Sequence, residues 1–152
     1  MEDNNKYHVS AWWTSGKGGI ARSQQAPTVI HFTAPVSFGG DPGRWTPEEL
    51  MLAALASCFT TTFQAIATYS KLPYSDLEVS VDGQIEKTAS GFQFTGITIK
   101  PRLTIADETL RPLAERVLHK SETLCLVGRA LSIPKTFTAE VLVTAPSFVP
   151  VF

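Results

Sequence analysis

Two thiols set the chemical question. Cys58 lies in "LASCFTTTF", residues 55–63, an apolar run with three threonines behind the cysteine, and Cys125 lies in "ETLCLVGRAL", residues 122–131. A free cysteine often packs as a small hydrophobe, and that use needs nothing further. As a thiolate it is a nucleophile, and its oxidised form can condense with a second thiol. In a reducing compartment a permanent Cys58–Cys125 disulfide is not expected, and a transient one would be catalytic or redox-sensing. Glu48 is the acid of interest. Its neighbour Glu49 is engaged in a cap, whereas Glu48 has no local partner beyond the positive end of its own helix.

Other candidate chemistry falls away on spacing. His8, His31 and His119 are scattered and form no zinc pattern with the two cysteines, so no metal is expected. "SGKGG", residues 15–19, echoes a phosphate-binding loop, but no serine or threonine follows Lys17 and no helix opens after it. Thr60, Thr61 and Thr62 can bond back to the preceding helical turn and act as core residues, so their chemistry is undirected. No cofactor is implied.

The elements that must position these residues read as follows. "KYHVSAWWT" (6–14) is rich in aromatic and β-branched residues and predicts a strand, and "SGKGG" predicts a tight turn. "PTVIHFTA" (27–34) predicts a second hairpin strand, with a short intervening strand at 19–24. "PVSFGGDPGR" (35–44) carries too many breakers for regular structure and should be an exposed loop. Thr46, Pro47 and Glu49 spell a capping box with proline at the first helical position. The helix they open should run to about residue 70 and, being apolar all round, should be central and buried. "LEVSVDGQIEK" and "FQFTGITIKPRLTI" alternate with period two and predict antiparallel strands. A second helical region is expected from Asp107 with a break near Lys120, and "KTFTAEVLVTA" should close the fold as one strand. The class is α+β, antiparallel sheets wrapped on long buried central helices, in a single domain over 1–152.

The chain has 152 residues, 13 basic against 14 acidic, with a net charge of −1 and 43% hydrophobic content. That near-neutrality gives no global attraction to nucleic acid or anionic membrane. Its length lets it bury a core without a disulfide or metal. No apolar stretch is expected to reach the ~18 residues of a membrane span. The polar start "MEDNNKYH" lacks the apolar core of a signal peptide, so a cytoplasmic location is the expectation.

"TPEELMLAALASCF", residues 46–59, resembles the signature of the OsmC/Ohr family, the osmotically inducible and organic-hydroperoxide-resistance proteins. There a proline–glutamate start is followed by an alanine-rich helix and then cysteine–phenylalanine. The glycine-rich first turn, the "GG" loop before the helix and the late second cysteine agree, so the resemblance spans residues 8–144. It implies a thiol-dependent peroxidase with Cys58 as the peroxidatic cysteine and Cys125 as the resolving one. Glu48 would be the acidic partner of a catalytic arginine, and no cofactor is implied. It further implies an intertwined homodimer, organic hydroperoxide as substrate and a dithiol reductant such as a lipoylated protein.

The chain departs from that pattern where the arginine is expected. "SGKGGIARS" places Lys17 there, with Arg22 five positions on. Lysine supplies charge but not the planar fork that can bridge a carboxylate and a thiolate. Arg22, Arg44 and Arg129 are the other candidates. "WTPEE" and "CLVGRAL" also differ from the best-known branches, so the resemblance is to an OsmC-like branch. Glu48 and Cys58 stand ten residues apart, about 15 Å along one helix, so cooperation needs a long bridging arginine or a second chain.

The leading function is therefore reduction of organic hydroperoxides. The alternative is a non-catalytic OsmC-like binding or redox-sensing protein. An acyl-thioester hydrolase is disfavoured because no acid or base stands beside Cys58 in mid-helix.

Overall fold

The structure is a computed structural model that describes residues 6–144. The polar start at 1–5 and Ala145, the expected end of the last strand, lie outside the described residues. The chain divides into two compact units, residues 1–51 and 52–152.

In the first unit β1 (Val9–Ser15), β2 (Gly18–Ser23) and β3 (Ile30–Thr33) form an antiparallel sheet in that order. The short intervening strand is thus the middle strand, paired on both sides. Gly16 turns the chain between β1 and β2 at φ +53°, a left-handed conformation that glycine adopts without Cβ conflict. Gly19 is required by contact instead, since a Cβ there would lie 2.1 Å from the Trp12 carbonyl oxygen. The breaker-rich segment holds one 3₁₀ turn, Val36–Phe38, and is tied back to β3 at its end. Thr33 N–H donates to the Trp45 carbonyl at 2.8 Å, and Trp45 N–H to the His31 carbonyl at 3.1 Å.

Helix α1 (Pro47–Tyr69) starts and stops on local signals. The capping box is made in both directions: Glu49 N–H donates to Thr46 Oγ1 at 3.1 Å, and Thr46 N–H to Glu49 Oε2 at 3.0 Å. At the other end Lys71 takes a left-handed φ of 56°, and the Leu72 N–H closes on the Ala67 carbonyl at 2.9 Å. Leu55, Phe59, Phe63 and Ala67 form its buried stripe at every fourth residue. Only 22% of its most apolar 18-residue window is buried within this chain, although the sequence reads as apolar on every side. Helix α1 also corrects the expectation about membrane spans. With 23 residues and a mean hydropathy of 1.6, it is long and apolar enough to cross one. The only charges, Glu48 and Glu49, sit in its first turn, and the uncharged hydroxyls and alanines of its interior lower hydropathy little.

The second unit adds a long hairpin, β4 (Asp76–Thr88) and β5 (Gly91–Ile105), antiparallel with a register shift at Gln84/Ile85. Period-two burial is strict from Ile97 to the end of β5: Ile97, Ile99, Pro101, Leu103 and Ile105 face inward. A 3₁₀ turn capped by Asp107 leads into α2 (Arg111–Leu124) and then α3 (Leu126–Ala130). Ala114, Val117, Leu118 and Ser121 make the buried stripe of α2. The break falls at Cys125 rather than near Lys120. Lys120 is exposed and interrupts nothing, whereas Cys125 leaves the helical conformation at ψ 113°.

The closing segment forms two strands where one was expected, β6 (Lys135–Phe137) and β7 (Glu140–Val143), and both run parallel to β5. The parallel sense follows from the helical crossover of residues 106–134. Pro101 accounts for the split. Ile97 N–H donates toward the closing segment and Ile99 O accepts from Thr138 N–H, so the next position on that edge is Pro101, which has no N–H. β6 pairs Ile97–Ile99 and β7 resumes at Arg102, leaving the ladder open at the proline.

Candidate active site

Cys58 rides on α1 one residue before the buried Phe59, so its side chain sits at the margin of the core and is half-buried. Phe59 is fixed by the Phe137 ring at 5.9 Å between centroids, which holds this turn of α1 in place. Cys125 is 2% exposed and joins two helices. Its N–H makes the last bond of α2, to the Ser121 carbonyl at 2.9 Å, and its carbonyl accepts from Arg129 N–H at 3.0 Å inside α3. That junction frees the N–H groups of Leu126 and Val127, the first residues of α3, from any helical partner. Val127 N–H points at Cys58 Sγ at 3.5 Å, and both cysteines are free thiols.

The fold therefore brings together the two thiols that the sequence singled out. They differ in character. Burial pushes the Cys58 thiol up, but the Val127 amide, the Cys125 thiol, the Thr62 hydroxyl and the Leu126 amide together hold it below its ordinary value of 9.0. None of these groups carries a positive charge. For Cys125, burial pushes the thiol up, and the neighbouring Cys58 sulfur adds to that. Of the two sulfurs, Cys58 is the one on which the anion is favoured, and Cys125 the one held toward the neutral thiol. The arrangement can hold a sulfur anion half-exposed beside a second thiol, which is what reversible thiol oxidation requires.

Lys17 and Arg22 have partners in their own unit. Lys17 Nζ donates to the Phe38 carbonyl at 2.5 Å, and the Arg22 guanidinium lies over the Trp12 ring at 5.8 Å. Glu48 Oε2 is buried and has no hydrogen-bond partner among the described residues. The described residues contain no cluster of histidine, cysteine, aspartate or glutamate suited to a metal ion.

Sequence reasoning missed the Leu126 and Val127 amides and Thr62. No side-chain pattern marks a backbone donor, but the spacing of Thr62, four residues after Cys58, was available as a signal.

Residues 39–140 match the OsmC-like protein family, more than half of the chain. The uncharacterized protein YmaD of Bacillus subtilis is 24% identical over 135 residues, covering 86% of this chain and 89% of that one. Among solved structures, an organic hydroperoxide resistance protein OsmC from Legionella pneumophila superposes with a TM-score of 0.73 at 20% identity. It is matched over 93% of this chain and 100% of that one. The organic hydroperoxide resistance protein OhrB of Bacillus subtilis gives 0.65 at 21% identity over 90% and 97%. At these identities the structural likeness shows a shared fold.

Proposed function

Because the chain belongs to the OsmC-like protein family, we propose that it is a thiol-dependent peroxidase that reduces organic hydroperoxides through Cys58 and Cys125. The observation that carries this reading is the pair of adjacent free thiols, with the Cys58 sulfur facing the amides that open α3. The Cys58 thiolate attacks the distal oxygen of ROOH. An S–O bond forms, the O–O bond breaks, and the alkoxide released takes a proton from water and leaves as ROH, giving a sulfenic acid. The Cys125 thiol then attacks that sulfur, a disulfide forms and water leaves. A dithiol donor, such as a lipoylated protein, returns both cysteines to thiols by exchange.

Glu48 and a cation, Lys17 or Arg22, are assigned the supporting role that the family resemblance implies. The buried Glu48 Oε2 without a partner supports Glu48 as an acceptor for such a cation. The working species is a homodimer, a reading supported by the uncovered apolar surface of α1 and by Trp13, which is 75% exposed. A reducing cytoplasm fits two free thiols.

A peroxide-consumption assay with dithiothreitol tests the function. Turnover of cumene hydroperoxide well above that of hydrogen peroxide is expected. No turnover of either would leave a binding or redox-sensing role.

A further inference from the structure

Gly128 has no conformational reason to be glycine. It is a buried residue of α3, and its φ lies outside the left-handed region that favours glycine. Inside a helix glycine is less favourable than alanine, so its use here lies in contact. A Cβ at Gly128 would stand 3.4 Å from Leu55 Cδ1 and 3.6 Å from both Cβ and Sγ of Cys125. Leu55 is 1% exposed and precedes Cys58 by three residues, so it lies on the same side of α1 one turn earlier. The bare Cα of Gly128 therefore faces the helix that carries one thiol and the side chain that carries the other. Those separations are ordinary van der Waals contacts, so this side of Gly128 has room for a methyl group and nothing larger. Val127, the residue before it, aims its N–H at Cys58 Sγ at 3.5 Å, so two consecutive residues of α3 bear on α1.

We propose that Gly128 is a positioning residue: as the bearing point of α3 on α1 beside the Cys125 sulfur, it sets how closely Cys58 and Cys125 approach for disulfide formation. The assignment rests on the peroxidase reading for its purpose, because disulfide formation is the second step of that reaction. A disulfide requires Cβ atoms about 3.8 Å apart and Cα atoms within about 7 Å. A side chain longer than a methyl at position 128 must displace Leu55, and with it the turn of α1 that bears Cys58, or turn the Cys125 side chain away. A close-packed interior transmits such a displacement rather than absorbing it. Both thiols would survive, and their joining would be strained.

The test is the equilibrium of the full chain with glutathione, which needs no peroxide. Glutathione disulfide takes two electrons and two protons from Cys58 and Cys125, giving the intramolecular disulfide and two molecules of glutathione thiol. Mass spectrometry after acid quenching reads the ratio. Gly128→Val adds two carbons beyond the methyl at a nearly fixed χ1, and it should lower the constant for disulfide formation by about ten-fold or more. Gly128→Ala should keep the constant within about two-fold of the parent, and Gly128→Ser should fall between the two. Urea unfolding identifies the folded variants. If Gly128→Val does not fold, a constant for Gly128→Ser no lower than that for Gly128→Ala would overturn the assignment. If it folds, a Gly128→Val constant within about two-fold of the parent, or one matched by Gly128→Ala, would do so. A parent protein that forms the Cys58–Cys125 disulfide with glutathione and shows this order, but consumes no peroxide, would retire the peroxidase reading and leave the Gly128 assignment supported.

Discussion

A cysteine in an apolar helix should be a poor nucleophile, because burial favours the neutral thiol. Cys58 escapes that outcome through neutral donors: two peptide N–H groups, a thiol and a hydroxyl. The sign of the effect separates the two cysteines. A thiol whose anion is favoured in the fold reacts at lower pH, and its contribution to stability is complete above 9.0 and lost as pH falls through the lowered value. For Cys125 the stabilising form is the neutral one, present below 9.0 and lost as pH rises through the raised value. Alkylation against pH should therefore label Cys58 with a midpoint below 9.0 and Cys125 with one above it. The reverse order would show that the amides of α3 do not act on Cys58. Replacing Cys58 by serine should abolish peroxide turnover, whereas Cys125→Ser should turn over once and stall. Mass spectra of peroxide-treated Cys125→Ser protein should show added oxygen at Cys58. Their absence would remove Cys125 from the resolving role.

Two helix junctions determine where these thiols lie. The first is the start of α1, where the reciprocal bonds between Thr46 and Glu49 fix the first turn. Thr46→Ala should cost about 1 kcal/mol of stability, with Thr46→Ser close to the parent, as read from urea unfolding. The second is Cys125 itself, which ends α2 and begins α3. Between them runs the stripe of α1, whose Phe59 and Phe63 are wholly buried and meet Phe137 and Tyr74. Phe63→Ala should destabilise the protein by about 3–5 kcal/mol, because a large ring leaves a cavity that its neighbours only partly refill. A loss below about 1 kcal/mol would mean that this part of α1 is not held by the core described here.

For the molecule as a whole, the uncovered face of α1 carries the expectation. Within one chain α1 presents Ser57, Thr60, Thr61, Gln64 and Thr68 outward, and the serine and three threonines return their hydroxyl protons to helix carbonyls. Such a face shows methyl groups and satisfied oxygens rather than free donors, and it can be buried at little cost. Sedimentation at micromolar concentration should therefore give a dimer whose interface is well above the ~1,600 Å² of an ordinary one. A stable monomer would contradict it.

What the sequence determined by itself was everything governed by near neighbours. The start of α1 follows from Thr46, Pro47 and Glu49, the inward face of β5 from period-two alternation, and the β1–β2 turn from Gly16. The two thiols were also legible as candidates, since their residue types carry the chemistry wherever they lie. Pro101 was on the page as well, but its consequence depended on which edge of β5 would receive the returning chain. The tertiary structure decided the rest. It set the break at Cys125, and it brought the Val127 N–H to a sulfur 69 residues away in sequence. A peptide N–H is the same group at nearly every position, so no residue letter announces that one will be left unpaired and aimed at a thiolate. That depends on where two helices meet after the sheet has set their separation, and long-range packing alone fixes it.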